Sequence, residues 1–584
     1  MADYNFANNG QGRLNADGSP RPGYIARMYW AVIGAVLGAA LLLRICEFAL
    51  GVQRKRSQNW RPKFVTARMP AVVMPVGRAL TYLTPPFLQR YPGFVYFPSF
   101  GRTLLVLCYF GLLLGLFFYR NPLTDPSQFQ TTLYRACWLS IAQLPLIVLL
   151  SVKRLSVISL VTGSSSSVSL NFFHRWVARG LLLTATLHMF YVMRYFASFQ
   201  ALVFELKTNI MPRRGLGTWC ILAWIVLVSS IRPIRHYVFE LFFANHVISV
   251  LAFFIAVLKH TPIYAHVYIW IALSIYIADV ALRWFLVLLN NISTSGLNYR
   301  ATVSVMQDEK TLAIEVPMTS ERLLNWKPGQ FVRLQFPTTE PFMAHPFTIA
   351  SLPEDNKMQF VIRVKNGFTK RLLEKTIRIG ADLEKQNDTV DNVVARATYP
   401  VIIDGPYGRV GREWNQFDTV LSIVCGTGFT YGFAVFRGIL HNRGAVRTLR
   451  LVWVVRNYSD IVTCRDLIER ILKYRESGAF ELSVLIQIFV SDASTIPTIG
   501  HSEFDKVLAQ HAEFIKVIPG KPVIRDILRS VIDRAGGETG VAVCGGSSLT
   551  TEVKNDVAQL LATHAAHLRS DAQSCWVHSE QFES

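Results

Sequence analysis

Through its first 290 residues the chain repeats one pattern: a long uncharged apolar run, then a short polar or basic stretch. The runs fall at Met28 to Leu43, Thr103 to Tyr119, Ala136 to Val152, Gly180 to Met193, Gly215 to Ile231, Leu241 to Leu258 and Thr261 to Ala278. A bilayer core asks for roughly 20 apolar residues per helix, and several runs are shorter. Flanking basic stems such as Arg44 and Arg179 can reach the interface and extend them. Seven consecutive runs of this kind could not all find a soluble core, so the pattern predicts an α-helical membrane bundle of about seven spans.

Beyond about Asn290 the pattern shortens. Ala301 to Val305, Thr311 to Val316 and Phe331 to Phe336 read as strands, the last after the turn Lys327-Pro328-Gly329-Gln330. His345 to Ala350 and Gln359 to Lys365 continue the set, and Asp404-Gly405-Pro406-Tyr407-Gly408 reads as a closing turn. A small antiparallel β-barrel of roughly 120 residues is expected. From Phe417 onward, apolar strands at Val420 to Val424, Leu449 to Val455, Leu482 to Phe489 and Val541 to Cys544 alternate with helical patterns, which predicts an α/β doubly wound parallel sheet. The expected divisions are an extracellular tail over 1–23, a membrane domain over 24–291, the barrel over 298–413 and the α/β domain over 416–584.

Composition agrees: 51% of the 584 residues are hydrophobic and 17% charged, against about 25% charged in an ordinary soluble protein. Met1 to Pro22 is polar and lacks a secretory signal, so the first span is expected to stay as an anchor. Arg54, Lys55, Arg56, Arg61, Lys63 and Arg68 follow it, which places that loop in the cytoplasm and the N-terminus outside. Lys153, Arg154, Arg232 and Arg235 agree with this topology, whereas Lys207, Arg213 and Arg214 fall on the outer side and oppose it. Much of the net charge of +21 flanks membrane spans, where it sets topology and meets anionic lipid, so nucleic acid is not an expected partner. The eight cysteines form no C-x-x-C pair and are expected to be free thiols.

Ionisable residues inside membrane spans are costly and therefore functional candidates. His174 and His188 lie fourteen residues apart on the fourth helix, and His246 and His260 repeat that separation on the sixth. Fourteen helical residues return a side chain to within about 40° and advance it about 21 Å. With both helices running the same way, His174 faces His246 at one depth and His188 faces His260 at the other. Two ligands per level suit haem, whose macrocycle supplies the equatorial nitrogens; zinc would want three or four converging side chains. Proton relay by the same histidines is the rival reading. His236 and His266, near span ends and unmatched, read as interfacial. In the α/β part, Gly426-Thr427-Gly428-Phe429-Thr430 after the first strand suits a phosphate at a helix N-terminus.

This order of elements resembles the ferric reductase superfamily, which includes fungal metalloreductases and NADPH oxidases, over roughly residues 100 to 584. The resemblance implies a di-haem membrane domain with His174, His188, His246 and His260 as axial ligands, an FAD barrel and a ferredoxin reductase-like NADPH domain. His345-Pro346-Phe347-Thr348 looks like the family's flavin signature, and Arg363, Lys365, Gly367, Phe368 and Thr369 fall in a stretch similar to the one that holds the FAD pyrophosphate. Gly426 to Thr430 resembles the family's G-G-x-G-I-T, with Cys425 for the first glycine and Phe429 for the isoleucine. Arg456 stands where a 2'-phosphate is met, Val543-Cys544-Gly545-Gly546 resembles a C-G-P turn without its proline, and Glu580 and Phe582 lie where relatives present an aromatic over the flavin.

The function so implied is transfer of electrons from cytosolic NADPH, through FAD and two b-type haems, to ferric or cupric chelates outside the membrane, expected to be the plasma membrane. Superoxide production from dioxygen is the alternative acceptor chemistry, and a transporter with a nucleotide-sensing cytosolic domain is the alternative class. The outer basic residues Lys207, Arg213 and Arg214 could attract anionic chelates or lipid headgroups.

Overall fold

The computed structural model describes residues 21–56, 77–84, 99–121, 129–154, 156–162, 167–293, 296–297, 299–318, 323–383, 393–408, 411–476, 482–497, 503–567 and 574–581. The polar N-terminal tail, the basic residues Arg61, Lys63 and Arg68, and Phe582 lie outside them. The chain divides into two compact units. One comprises the described residues of Met1–Ile45 and Arg102–Leu282, the other those of Cys46–Gly101 and Arg283–Glu583.

The first unit is helical. Its principal elements are α1 (Pro22–Arg56), α2 (Phe100–Phe118), α3 (Phe129–Ala142, continued as Leu144–Leu149), α4 (Ser167–Ser198), α5 (Ile210–Ser230), α6 (Phe239–His260) and α7 (His266–Asn291), with α1 beyond Ile45, the first two residues of α2 and α7 beyond Leu282 counted in the second unit. Among the described residues six helices are long and apolar enough to cross a membrane, and this is a multi-pass membrane protein. The expected fifth span is not one of the six. Arg213 and Arg214 occupy the first turn of α5, and two glycines and a closing Ser229-Ser230 dilute its apolar content, although its 21 residues give a rise of about 32 Å.

α3 is the innermost helix. Of its span 78% is buried, against 28% or less for each of the other five. Phe129, Leu133, Leu139 and Leu144 on α3 pack with Leu113 and Phe117 on α2 and Val177 and Leu181 on α4. Large apolar side chains elsewhere face outward, among them Leu42, Leu107, Ile248 and Leu251, as surfaces that meet lipid do. Two charged groups inside the bundle are answered by backbone. The fully buried Arg135 donates to the carbonyls of Phe117 and Tyr119 at the end of α2, and the buried Asp279 of α7 accepts from the N–H groups of Lys153 (3.3 Å) and Arg154 (2.7 Å).

The second unit holds two sheet systems. Strands β1 (Arg300–Met306), β2 (Thr311–Pro317), β3 (Phe331–Gln335), β4 (His345–Thr348), β5 (Lys357–Arg363), β6 (Val393–Pro400) and β7 (Ile402–Tyr407) form two antiparallel sheets, ordered β5-β2-β1-β6 and β4-β3-β7. Helix α8 (Phe368–Leu383) closes their shared core of Val303, Leu312, Val332, Phe360 and Leu372. Residues Asp404 to Tyr407, expected as a turn, belong to strand β7. Gly405 lies so close to β3 that a Cβ there would stand 3.1 Å from the Val332 Cα, and the register shifts between Phe331 and Arg333. The glycine serves a close backbone approach at a bulge, a use that imitates a turn signal.

Strands β8 (Thr419–Cys425), β9 (Thr448–Val455), β10 (Ser483–Val490), β11 (Ile515–Pro519), β12 (Thr539–Gly545) and β13 (Cys575–Gln581) make one parallel sheet, ordered β11-β10-β9-β8-β12-β13. α9 (Phe429–His441) and α10 (Arg465–Glu476) cover one face through Phe433, Phe436, Ile468 and Ile471. α11 (Ile524–Ile532) and α12 (Ser547–His567) cover the other through Leu528, Val553 and Val557. With both faces covered, β8 and β12 read as continuous apolar runs. Residues 77–84, from the stretch between the first two spans, also belong here. Ala79 joins the second face, the Tyr82 hydroxyl accepts from the Val577 N–H at 3.2 Å, and Arg78 reaches Glu538 at 2.8 Å.

Candidate functional site

Two pairs of imidazoles meet inside the helical unit. The ring centres of His174 and His246 are 6.4 Å apart, and those of His188 and His260 are 6.3 Å apart. Both pairings run in the same chain order, so α4 and α6 are co-directional, and α5 is the element that returns the chain between them. A metal bound at about 2 Å by a nitrogen of each ring would lie about 3.2 Å from both ring centres, which calls for a separation of about 6.4 Å. No group of three or more histidine, cysteine or acidic side chains is placed to hold an ion among the described residues. The donor set is therefore two imidazoles per level, which fits an ion that brings its own equatorial ligands.

The rings on α4 are oriented by α3. His174 Nδ1 is 3.0 Å from the Ile147 carbonyl oxygen, and His188 Nδ1 is 2.8 Å from that of Leu133. A carbonyl only accepts, so Nδ1 carries the proton in both rings and Nε2 is left as the ligating nitrogen. On α6, His246 Nδ1 has Ser229 Oγ at 3.4 Å, and the His260 ring lies against α5, where a Cβ at Gly215 would stand 2.7 Å from its Cε1. Leu133, Ile147 and Gly215 went unnoticed in the sequence because a carbonyl or a missing Cβ leaves no side-chain signature.

In the second unit, β4 and the β5-α8 connection bring the flavin-signature residues together. The His345 ring stacks on Phe368 at 4.2 Å and 7°, and its Nε2 lies 2.7 Å from Glu340, which also accepts from Arg371. Pro346 is exposed, Phe347 packs toward the core, and Thr348 pairs with Phe331. Gly367 has φ +89 with open space where a Cβ would be, immediately before the first turn of α8. Lys365 is exposed beside it, and the Thr369 hydroxyl accepts from the Lys365 N–H at 2.8 Å. Open backbone, a cation and a helix N-terminus suit a pyrophosphate. Arg363 at the end of β5 pairs with Asp308 at 2.9 Å and Asp460 at 3.4 Å.

The order in which strands are added to the parallel sheet reverses between β8 and β12, and the connections after those strands make the crevice where α/β sheets bind ligands. Gly426 has φ +54. A Cβ on Gly428 would lie 2.6 Å from the Cys544 carbonyl oxygen, so only glycine lets this turn pass under β12. Phe429 stacks on Trp453 at 4.0 Å and 19°, and Trp453 Nε1 donates to the Gly426 carbonyl at 3.0 Å, so the large residue in the isoleucine position braces the turn. The Thr430 hydroxyl donates to the Thr427 carbonyl. Arg456 is exposed just beyond β9. In the register of β12 with β13, Cys544 pairs with Glu580, which places both at the same sheet edge with Gly545. Burial pushes the Cys544 and Cys425 thiols up, so neither is a ready thiolate. All eight cysteines are free.

Three family models match in the order in which these sites occur. They describe a ferric reductase like transmembrane component over 136–257, an FAD-binding domain over 297–411 and a ferric reductase NAD binding domain over 417–558. The chain belongs to the ferric reductase superfamily. Relatives include ferric/cupric reductase transmembrane component 2 of Schizosaccharomyces pombe, 25% identical over 434 residues covering 68% of this chain and 73% of the relative. The probable cell surface ferric reductase kap2 of Aspergillus oryzae is 27% identical, covering 63% of this chain and 50% of the relative. Ferric/cupric reductase transmembrane component 7 of Saccharomyces cerevisiae is 24% identical, covering 74% and 71%. The ferric reductase match contains His174, His188 and His246 and ends three residues before His260, which geometry alone pairs with His188.

Proposed function

We propose that this ferric reductase family member oxidises cytosolic NADPH and reduces ferric or cupric chelates on the opposite side of the membrane, through FAD and two b-type haems. The observation that carries the reading is the pair of imidazole couples at 6.4 and 6.3 Å, two depths on co-directional helices. When bound, FAD supplies the conversion of a hydride into single electrons, and the haems supply carriers through a hydrocarbon core about 30 Å thick.

The chain's own residues do the positioning. His174 and His246 hold one haem, His188 and His260 the other. Around FAD, His345, Pro346, Phe347 and Thr348 line the ring system, while Arg363, Lys365, Gly367, Phe368 and Thr369 hold the pyrophosphate. Gly426 to Thr430 and Gly545 receive the nucleotide phosphates, Arg456 meets the 2'-phosphate, and Cys544 lies at the nicotinamide side. For Arg363 to serve, phosphate oxygens must take it from Asp308 and Asp460; Arg363 itself is exposed and the two carboxylates are partly buried. With α5 counted as a crossing, because co-directional α4 and α6 require a return, seven crossings put the N-terminus outside and the FAD and NADPH domains in the cytosol. Lys207 and Arg213 are then exposed on the outer side, where they favour anionic chelates such as ferric citrate.

A reduced-minus-oxidised absorption spectrum of the purified protein tests the reading. Two b-type haems per chain, lost singly in His188→Ala and His260→Ala, are expected; a colourless protein, or both haems retained in either variant, overturns it. Comparing ferric citrate with dioxygen as acceptor then separates metal reduction from superoxide production.

A further inference from the structure

A buried polar network occupies the space between the two imidazole levels. The Gln143 side chain sits where α3 is interrupted before Pro145, a residue without the N–H that would continue the helix ladder. Its Nε2 donates to the Leu139 carbonyl at 3.0 Å and to Thr184 Oγ1 on α4 at 2.9 Å, while its Oε1 accepts from the Tyr109 hydroxyl on α2 at 2.7 Å. Ser140 Oγ donates to the same Thr184 oxygen at 2.9 Å. Gln143 and Thr184 are buried, and a Cβ at Gly180 would stand 3.1 Å from Gln143 Oε1, so the amide is held on every side.

Leu133 and Ile147, whose carbonyls orient His188 and His174, are themselves fourteen residues apart, the spacing of the histidines they serve. They lie on either side of the interruption at Gln143. Ile147 belongs to the short last segment of α3, where Ser151 donates to Val148, so its carbonyl is available to the imidazole. The backbone carries the helix on through Gln143, whose carbonyl accepts from the Ile147 N–H at 3.0 Å, so both carbonyls ride on one rod, and the Gln143 to Thr184 contact is what ties that rod to α4 midway between them.

We propose that Gln143 and Thr184 are positioning residues for both haem-ligating imidazoles of α4, pinning α3 against α4 so that each Nδ1–H keeps its carbonyl; this rests on the bis-imidazole haem assignment above. An imidazole that donates from Nδ1 to a carbonyl is a more basic ligand and stabilises the ferric over the ferrous iron. Loosening the clamp therefore raises the midpoint potential of the centres.

The test is potentiometric titration of the two b-type signals in the full-length protein, with electron paramagnetic resonance of the oxidised form. Gln143→Leu is expected to retain both haems, raise at least one midpoint potential and shift its low-spin g-values. Thr184→Val does the same more weakly, and Thr184→Ser restores wild-type values. If Gln143→Leu fails to accumulate, the Thr184→Val and Thr184→Ser pair decides. Unchanged potentials and g-values in Thr184→Val overturn the inference while leaving the haem assignment standing; absence of haem from the wild-type protein would remove the assignment instead.

Discussion

The two units bury polarity in different ways. In the membrane unit, histidine and charged side chains turn to backbone: His174 and His188 to carbonyls of α3, Arg135 to the end of α2, Asp279 to two N–H groups. In the second unit, charge turns to charge, as in the buried Arg412, bidentate on Glu538 at 2.7 and 2.6 Å with Arg78 on the same carboxylate. The membrane unit can place its chemistry on two continuous helices, because a helix satisfies its own backbone and leaves one face for function. The second unit gathers its site from chain crossings, so it depends on close approaches such as Gly428 under β12 and on ion pairs between distant segments. The lesson is that a deletion should act locally in the first and spread in the second.

The strongest test of that contrast is His260→Ala. It should abolish transmembrane ferric reduction and one b-type signal, yet leave NADPH reduction of a soluble dye within about twofold, since only one ligand is lost. Arg412→Met comes next. Glu538 would remain buried beside Arg78 alone, so the loss should stay below the about 3 to 5 kcal/mol of a buried charge left with no partner; the denaturant midpoint for FAD release should fall, with the haem spectrum unchanged. Gly428→Val should lower NADPH-dependent dye reduction by on the order of a hundredfold, because the branched side chain displaces the turn. Arg456→Ala should raise the KM for NADPH about tenfold and leave that for NADH unchanged, the scale of one charge-assisted contact.

The smallest effect concerns Glu413. Hydrogen bonds from Lys55 and then Lys327 hold its carboxyl down to about 2. A depressed carboxyl contributes stability that is fully present above the unfolded value near ~4.3 and is lost as pH falls through about 2. Glu413 is half exposed, so screening leaves the contribution small. Glu413→Gln should flatten the acid limb of the stability profile between those values without altering neutral pH activity, as monitored by flavin release.

Legibility followed the same division. The histidine spacing could be read directly, since 3.6 residues per turn converts a fourteen-residue interval into one face at two depths. The parallel sheet was legible from its strand and helix alternation, and the Gly426 to Thr430 turn from its position after the first strand. The helix Phe368–Leu383 and the strands Val393–Pro400, Ile515–Pro519 and Cys575–Gln581 were not singled out, being polar on one side or flanked by long connections. Gly405 misled because a glycine under a bulge and a glycine in a turn look alike. α5 was legible as the apolar run Gly215 to Ile231 and forms a single helix, although with Arg213 and Arg214 near its start it falls outside the six that are apolar enough to cross a membrane.

What the amino-acid order determined by itself was local and periodic: which stretches are apolar enough for lipid, which histidines share a helix face, where strands alternate with helices. Tertiary structure alone decided which helix supplies the carbonyls at Leu133 and Ile147, why Gly215 and Gly428 must lack a side chain, and how Ala79 and Tyr82 come to pack against the parallel sheet. Those facts depend on contacts between segments up to several hundred residues apart. Backbone acceptors and absent Cβ atoms acquire meaning only when another element is packed against them.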